Sequence, residues 1–346
     1  MLEKNRKLIL AALLIALLGF AIYRLARSDF AWPVFFAAFR NVDWAWLMAS
    51  IFLIYLSHFG RALRWEVMLR PQRKGASLPG LFSATIVGFT AIVLLGRPGE
   101  VVRPYLIAVK EKVTFSSQMA AWLLERIFDL LMILLLFGYA LVVVPADRLH
   151  LGPGLQWVFR TGGYVCAAIC TLCLVVLLAF RGFAGTMQER LSHALAFLPE
   201  RFRERTARLA AAFGEGTRSA SSTSFLLLLL SYSAFIWLVL VACYFCLFRS
   251  IAATSTFRLD QVTVFMGLVA FGSAIQIPGI GGGFQVAAII VLREVFGLRL
   301  ETATGLAVLL WVAAFLPVVP AGLVLGFREG LNWRKIRMIR NDLTTI

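Results

Sequence analysis

Long apolar runs separated by short basic connections make up most of the chain. Several of these runs exceed the ~18 residues that a membrane-spanning helix requires. The first apolar run extends from Leu8 to Tyr23, and a second begins at Trp44, capped by Asp43, and ends near Phe59. The basic residues that follow it are predicted to form a cytoplasmic loop: Arg61, Arg64, Arg70, Arg73 and Lys74. The remaining long runs cover residues 118–144, 161–180, 224–248 and 302–326. The pattern predicts an all-α polytopic membrane protein with about six full spans.

Two further apolar segments are interrupted by proline and glycine, at Pro98-Gly99 and at Pro278-Gly279. If residues 79–95 crossed the membrane completely, the arginine-rich segment that follows the fourth span would lie outside, although lysine and arginine favour the cytoplasmic side. Residues 79–109 are therefore better explained as one hairpin. A re-entrant hairpin removes this conflict, and broken backbone is tolerated at membrane depth where protein or a water-filled cavity covers it. We therefore predict two re-entrant helical hairpins, one entering from the cytoplasm and one, residues 262–297, from outside.

Both halves of the chain have the same order of elements. Residues 8–144 and 161–326 each comprise two spans, a broken hairpin and a further span, so the halves would have opposite orientations. Inverted repeats with glycine- and proline-broken segments are typical of alternating-access transporters, although a duplicated membrane fold need not transport anything. We predict one integral membrane domain, residues 1–346, that contains an inverted repeat.

The charge balance agrees with a membrane location. The chain has 34 lysines and arginines against 18 acidic residues, a net charge of +16, and 60% hydrophobic residues. The basic residues are scattered around apolar spans, which argues against nucleic acid as a partner. Residues 181–220 are predicted to form a basic amphipathic segment on the inner surface. We expect a bacterial inner membrane protein, with both termini in the cytoplasm and an uncleaved first span.

Cysteine and histidine show no pattern typical of a metal site. The three histidines are dispersed, and the five cysteines all lie in apolar runs, where small buried packing residues are expected: Cys166, Cys170, Cys173, Cys243 and Cys246. No metal and no cofactor are therefore expected.

Ionisable residues concentrate around the first break. They lie beside it or in the first half of the following span: Arg97, Glu100, Arg103, Glu125, Arg126 and Asp129. Charge at bilayer depth is costly unless it is paired or faces a polar cavity. Planar guanidinium groups suit bidentate contact with phosphate, and i,i+3 and i,i+4 spacing suits ion pairs on a helix. Two interpretations remain open, a site for a phosphate-bearing head group and an ion-pair network that fixes the hairpin to the helix.

The second break is rich in glycine. Its order is not G-x-G-x-x-G, no strand precedes it and the chain has no G-x-x-x-x-G-K-[ST] motif, so nucleotide binding is not expected. A helix starting near Gly283 would direct free N–H groups and a positive dipole end at an anionic head group, whereas close helix packing explains the glycines equally well. The candidate substrate-binding residues here are Gly279, Gly281, Gly282, Gly283 and Gln285.

Three stretches together resemble the lysylphosphatidylglycerol synthase transmembrane region, or flippase-like, family: GRPGEVVRPYLI, LLERIFDLL and IPGIGGGFQVAAIIVL. The resemblance covers nearly the whole chain and implies a membrane domain that moves or handles lipids, including aminoacylated phospholipids and lipid-linked precursors. The positions it marks are Arg97, Pro98, Gly99, Glu100, Arg103, Glu125, Arg126, Asp129, Pro278, Gly279 and Gly281.

Two positions depart from the family pattern. Gln285 stands where the family often has glutamate, and Trp311 where an arginine is frequent, so the resemblance does not extend to a shared proton-coupling scheme. The aminoacyl-transferase domain of the two-part synthases is also missing from this sequence, so we do not expect this chain to make aminoacyl lipids by itself.

The leading functional hypothesis is a flippase-like lipid translocase, not an enzyme, that handles a phosphate-bearing phospholipid or carrier lipid between leaflets. Transport would be downhill, or coupled to protons through Glu100, Glu125 or Asp129. The alternatives are a membrane-embedded transferase with Glu100 or Asp129 as general base, and a non-catalytic partner of lipid-modifying enzymes. The expected partners are membrane lipids with anionic or lipid-linked head groups, and a lipid-modifying enzyme or a second copy of the chain are further candidates.

Overall fold

The computed structural model of the chain describes residues 30–37, 39–40, 42–144, 153–183, 223–272, 276–277 and 281–329. Several predicted features lie outside these ranges: the first span Leu8–Tyr23, nearly all of the basic segment 181–220, Gly279 of the second break, and the basic C-terminus.

Eleven α-helices make up nearly all of the described structure. They are α1 (Trp32–Ala37), α2 (Trp44–Leu69), α3 (Leu78–Leu95), α4 (Val102–Glu111), α5 (Phe115–Val143), α6 (Pro153–Phe183), α7 (Thr223–Ser250), α8 (Leu259–Gly272), α9 (Gly283–Glu294), α10 (Leu300–Phe315) and α11 (Val318–Arg328). Short 3₁₀ turns cover Arg97–Val101 and Ala252–Thr254, and two-residue strands β1 (Gln276–Ile277) and β2 (Gly281–Gly282) form a small ribbon.

Five of the described helical segments are long and apolar enough to cross a membrane, judged by length and composition. They are α2, α3, α5, α7 and the consecutive pair α10–α11, and α8 is a shorter apolar helix. The predicted class, an all-α polytopic membrane protein, is confirmed.

The first broken segment doubles back on itself. The Lys110 ammonium at the end of α4 donates to the carbonyl oxygen of Gly80 at the start of α3, 3.2 Å away. The backbone N–H of Ser77, which precedes α3, donates over 3.2 Å to Oε1 of Glu111. The entry and exit of this hairpin therefore lie at the same end of the molecule. With ten residues, α4 is about 15 Å long and too short to cross a bilayer by itself.

The second broken segment also reverses. Strands β1 and β2 pair antiparallel, with Gln276 opposite Gly282. The rings of Phe257, just before α8, and Phe296, just after α9, lie 5.0 Å apart between centroids, so this hairpin too begins and ends at one end of the molecule. Helix α9 begins at Gly283, as predicted.

The two hairpins open toward opposite ends of the helical bundle. The N–H of Asp43, before α2, donates to the carbonyl oxygen of Ser250 at the end of α7 at 2.8 Å, so these long helices are antiparallel. The first hairpin opens at the end where α2 finishes, since Arg73 pairs with Glu111 at 3.1 Å. The second opens at the Ser250 end. An inverted repeat requires this arrangement, and the repeat itself stays a prediction.

One predicted boundary was wrong, and one predicted span is divided in two. Helix α2 does not end near Phe59 but continues to Leu69, so Arg61 and Arg64 belong to the helix and not to a cytoplasmic loop. They continue the helix because carboxylates on α5 pair with their guanidinium groups. The predicted span 302–326 is confirmed in its extent, since Leu300–Arg328 is long and apolar enough to cross a membrane. A turn before Val318 divides it into α10 and α11, because Pro317 lacks the N–H that a continuous helix needs. Tyr55 donates its hydroxyl to the carbonyl oxygen of Pro317 at 2.8 Å.

Candidate functional site

The centre of the site is a buried group of ion pairs between α2 and α5. Nη2 of Arg64 lies 2.8 Å from Oε1 of Glu125, and Nη1 of Arg64 lies 2.9 Å from Oδ1 of Asp129. The Nη1 atom of Arg61, one turn earlier on α2, lies 3.3 Å from Oδ2 of Asp129 and 3.6 Å from Oε1 of Glu125. Glu125 and Asp129 are one turn apart on α5, so both present their carboxylates to the same face of α2.

Two other helices add to this group. Arg103, on the returning arm of the first hairpin, places Nη2 2.8 Å from Oε2 of Glu125, and its guanidinium carbon lies 4.3 Å from the ring centroid of Trp65. From the second half of the chain, Ser233 on α7 accepts a hydrogen bond of 2.7 Å from Nη1 of Arg64. The ion pairs therefore join the first hairpin, α2 and α5, and the hydrogen bond from Arg64 to Ser233 adds α7.

Arg126 completes what we call the arginine cluster, defined as Arg61, Arg64, Arg103, Glu125, Arg126 and Asp129. Nη2 of Arg126 lies 3.6 Å from Oε1 of Glu125, which is a looser contact than those of Arg64 and Arg103. The Arg126 side chain is 34% exposed. Glu125 is 1% exposed, Asp129 6% and Arg61 8%. Four guanidinium groups thus share two carboxylates, which leaves two positive charges in excess. Buried charge is costly unless it is compensated.

A cavity of about 280 Å³ adjoins the arginine cluster. Its polar end is formed by Ser57, His58, Arg61, Arg126 and Asp129. The rest is apolar and includes residues of both hairpins and of α7, α10 and α11: Phe89, Val93, Leu240, Phe265, Met266, Val269, Phe284, Phe315 and Val318. The cavity therefore lies between the two hairpins and is amphipathic, with its charge at one end.

Several polar atoms of the cavity lining have no hydrogen-bond partner within the described structure. They are Nε of Arg61, Nε of Arg126, Nε1 of Trp237 and Nδ1 of His58. Native proteins rarely leave buried polar groups unsatisfied, and a bound ligand or water commonly explains the exceptions. The arginine and tryptophan N–H groups can only donate, so they suit a ligand with acceptor oxygens.

The predicted site residues divide into two groups. Arg103, Glu125, Arg126 and Asp129 all belong to the arginine cluster, although only Arg126 and Asp129 line the cavity. Arg97 and Glu100 instead pair with each other at 2.9 Å within the 3₁₀ turn, where the Arg97 side chain is 51% exposed. The first break thus contributes only Arg103 to the arginine cluster.

The second break lies next in sequence to a residue of the cavity lining, Phe284 on α9. Gly282 precedes α9 with a φ of 88°, a left-handed conformation that glycine adopts without strain. Phe284, in the first turn of α9, lines the cavity. Gln285, on the same turn, is half-buried. Gly281 and Gly282 form β2 and Gly283 starts α9, whereas Gly279 lies outside the described residues.

Sequence reasoning missed four residues that the fold brings to the site: Arg61, Arg64, Ser233 and Trp237. For the two arginines a signal was present. His58, Arg61 and Arg64 recur at i,i+3 spacing along a run that remains helical, and so occupy one face. Ser233 and Trp237 stand in an apolar span where nothing local distinguishes them.

The described residues contain no group of three or more histidine, cysteine, aspartate or glutamate side chains that could hold a metal ion. The site itself offers arginine donors, two carboxylates and an apolar wall. Such a site can bind an anion and the apolar group attached to it.

The fold and this site define a polytopic membrane protein with a charged cavity inside its helical bundle. Residues 7–322 match the model of the family described as the Lysylphosphatidylglycerol synthase TM region. The chain belongs to this family, as the resemblance predicted. Searches of curated proteins and of solved structures gave no match.

Proposed function

We propose that this protein is a lipid translocase that moves a phosphate-bearing lipid between the leaflets of a bacterial inner membrane. The observation that carries the proposal is the excess of two guanidinium groups at the polar end of an amphipathic cavity between the hairpins. A head group would occupy the charged end while its acyl chains follow the apolar wall. The head group would thus avoid crossing hydrocarbon with its charge uncompensated.

The ion pairs of Glu125 and Asp129 support downhill movement over proton coupling at these two carboxylates. Each of them pairs with at least two arginines at 3.6 Å or less, and a proton on either would leave buried guanidinium groups without a counter-ion. The proposal needs no chemical step, so the protein acts as a transporter and not as an enzyme.

The test is reconstitution of the purified protein in liposomes that carry head-group-labelled phospholipids in one leaflet. We expect protein-dependent movement of label to the other leaflet, measured as the fraction that becomes accessible to an impermeant quencher. Arg126→Gln removes a cavity-lining charge and should slow this movement at least tenfold. Arg70→Gln, which removes an exposed arginine paired with Glu66 at 2.9 Å, is the matched control and should move lipid at the normal rate.

Two outcomes would contradict the proposal. Absence of movement above protein-free liposomes for a panel of phospholipids and a polyprenyl phosphate would exclude translocation. Chemical conversion of the labelled lipid, detected by thin-layer chromatography, would instead support the transferase alternative.

A further inference from the structure

The net positive charge of the arginine cluster also indicates how many negative charges the head group should have. We propose that the cavity selects a head group with two negative charges, namely a phosphate monoester, over phosphodiester and zwitterionic head groups. That the phosphate belongs to a lipid rests on the proposed function. The selection by charge is argued from the described residues of the site alone.

The two charges in excess are located on specific side chains. Arg64 and Arg103 approach their carboxylates to 2.8–2.9 Å, and neither lines the cavity. Arg61 and Arg126 are held more loosely, at 3.3–3.6 Å, and both line it. Four guanidinium groups share two carboxylates, so Arg61 shares Asp129 with Arg64, and the surplus positive charge faces the cavity through Arg61 and Arg126.

Among the described residues, the cavity wall supplies no other counter-charge. Its charged side chains there are Arg61, Arg126 and Asp129, and Asp129 is already paired with Arg64 and, at 3.3 Å, with Arg61. Elsewhere in the described ranges, ion pairs join one cation to one carboxylate, as in Arg70–Glu66, Arg73–Glu111 and Arg258–Asp260. The surplus is thus a local property of the site and not a reflection of the basic chain as a whole.

The free donors match the acceptors of a phosphate monoester. Nε of Arg61, Nε of Arg126 and Nε1 of Trp237 belong to lining residues and have no partner among the parts of the chain that the structure describes. A terminal phosphate offers three acceptor oxygens and a charge of about −1.5 to −2 at pH 7. A phosphodiester has one negative charge and two non-bridging oxygens, so it would leave one arginine uncompensated.

Head groups that contain an ammonium fit less well. Ethanolamine or an aminoacyl ester would bring a further cation next to Arg61 and Arg126, and like charges in a buried site repel strongly. The volume of about 280 Å³ is near the lower limit of ordinary ligand cavities. It accommodates a compact head group and the beginning of an acyl chain.

The experiment is a lipid-retention measurement on the full chain. The protein is placed in nanodiscs of phosphatidylcholine that contain equal small fractions of phosphatidic acid, phosphatidylglycerol and phosphatidylethanolamine, and lipids retained after extraction are quantified by native mass spectrometry. We expect phosphatidic acid to exceed phosphatidylglycerol about tenfold, the change that one additional charge-assisted contact produces. Equal retention of the two would overturn the inference.

Three variants test whether the cavity is the source of the preference for phosphatidic acid over phosphatidylglycerol. Arg126→Gln should bring the ratio of phosphatidic acid to phosphatidylglycerol close to one, because one charge in excess suits a diester. Trp237→Phe removes a neutral donor and no charge, so it should weaken the retention of both lipids while phosphatidic acid stays preferred. Arg70→Gln should change neither. A fall of the ratio in Arg70→Gln equal to that in Arg126→Gln would attribute the preference to surface attraction and overturn the inference.

A soluble competitor tests whether the phosphate monoester that binds belongs to a lipid or to a soluble molecule. Glycerol 3-phosphate at millimolar concentration should not displace phosphatidic acid, because the apolar wall favours the attached chains. Full displacement of phosphatidic acid by glycerol 3-phosphate would show that the site binds a soluble phosphate monoester. The preference for a doubly charged phosphate would then stand, but the lipid function would be contradicted. Conversely, lipid movement in liposomes without any preference for the monoester would leave the proposed function standing and refute this inference.

Discussion

At the scale of single residues, the arginines of the site have two different roles. Arg64 is 1% exposed and contacts Glu125, Asp129 and Ser233. Arg126 has one distant counter-ion and faces the cavity. The first arginine therefore stabilises the bundle, whereas the second is available to a ligand.

Arg64→Gln should chiefly reduce the amount of folded protein. Breaking a buried ion pair by removing one partner costs about 3–5 kcal/mol, since the other charges remain buried. We expect a clear loss of monodisperse protein in detergent and a lower Tm, measured by gel filtration and thermal scanning. Arg126→Gln is the control and should keep both near normal. Normal yield and Tm for Arg64→Gln would refute the structural role.

Arg103→Lys tests the two interpretations that the sequence left open for the first break. The guanidinium pairs with Glu125 and lies over the ring of Trp65, and lysine keeps the charge but loses the planar fork and the stacking. We expect a lower Tm with normal lipid movement for each folded molecule. Normal Tm with lost movement would instead assign Arg103 to the head group.

At the scale of elements, the first hairpin depends on close backbone approach. A Cβ atom added at Gly99 would collide with the backbone carbonyl of Ala91 on α3 and lie 2.6 Å from the nitrogen of Ile92. Backbone cannot move aside as a flexible side chain can, so the 3₁₀ turn would be pushed off α3. The hairpin therefore requires glycine at this turn for steric reasons.

Gly99→Ala should destabilise the protein by about 1–3 kcal/mol, the usual effect of overpacking. Gly138→Ala on α5 is the matched control, because nothing lies within 4 Å of a Cβ at that position and alanine is the better helix former. The measurement is the Tm of both variants in the same detergent. A Tm for Gly99→Ala as high as that of Gly138→Ala would contradict the close packing.

The hairpin geometry also predicts on which side the loops lie. Single cysteines at Lys74 and Lys112, in a background without native cysteines, should both be protected from an impermeant thiol reagent in intact cells. A cysteine at the exposed Thr256, at the opposite end of the bundle, should react. Protection at Lys74 together with labelling at Lys112 would mean that the first broken segment crosses the membrane.

At the scale of the whole molecule, the last described helix is held against the first hairpin. Glu329, just after α11, forms an ion pair with Lys110 at the end of α4 and accepts a hydrogen bond from Ser83 on α3. Thr90 on α3 donates to the carbonyl oxygen of Val318 at 3.2 Å. Helix α11 therefore packs along the first hairpin, from Thr90 near its tip to Lys110 at the end where it opens.

Reversing one of these charges should destabilise the protein, and reversing both should restore much of the stability. Lys110→Glu and Glu329→Lys each place like charges together, and we expect each to lower the Tm by a few degrees. The double variant recreates an ion pair, so its Tm should exceed that of both single variants. Additive losses in the double variant would show that the two residues are not coupled.

The sequence by itself determined the class of protein, both broken segments and most helix boundaries. Apolar runs of sufficient length require a membrane, and Pro98 and Gly99 interrupt a helix in any environment. Glu125, Arg126 and Asp129 were predicted site residues for an equally local reason, since charge within an apolar helix must be compensated. The family also followed from local motifs.

Only the tertiary structure decided which charges meet. Arg61 and Arg64 looked like the start of a basic loop, because positive residues after an apolar run usually mark its end. They lie inside the bundle because Glu125 and Asp129, more than 60 residues later in the chain, provide their counter-ions. Trp237 joins the cavity through the packing of α7 against α2. The excess of arginine over carboxylate is a property of this assembled site, since ion pairing depends on distances in space that spacing along the chain does not specify.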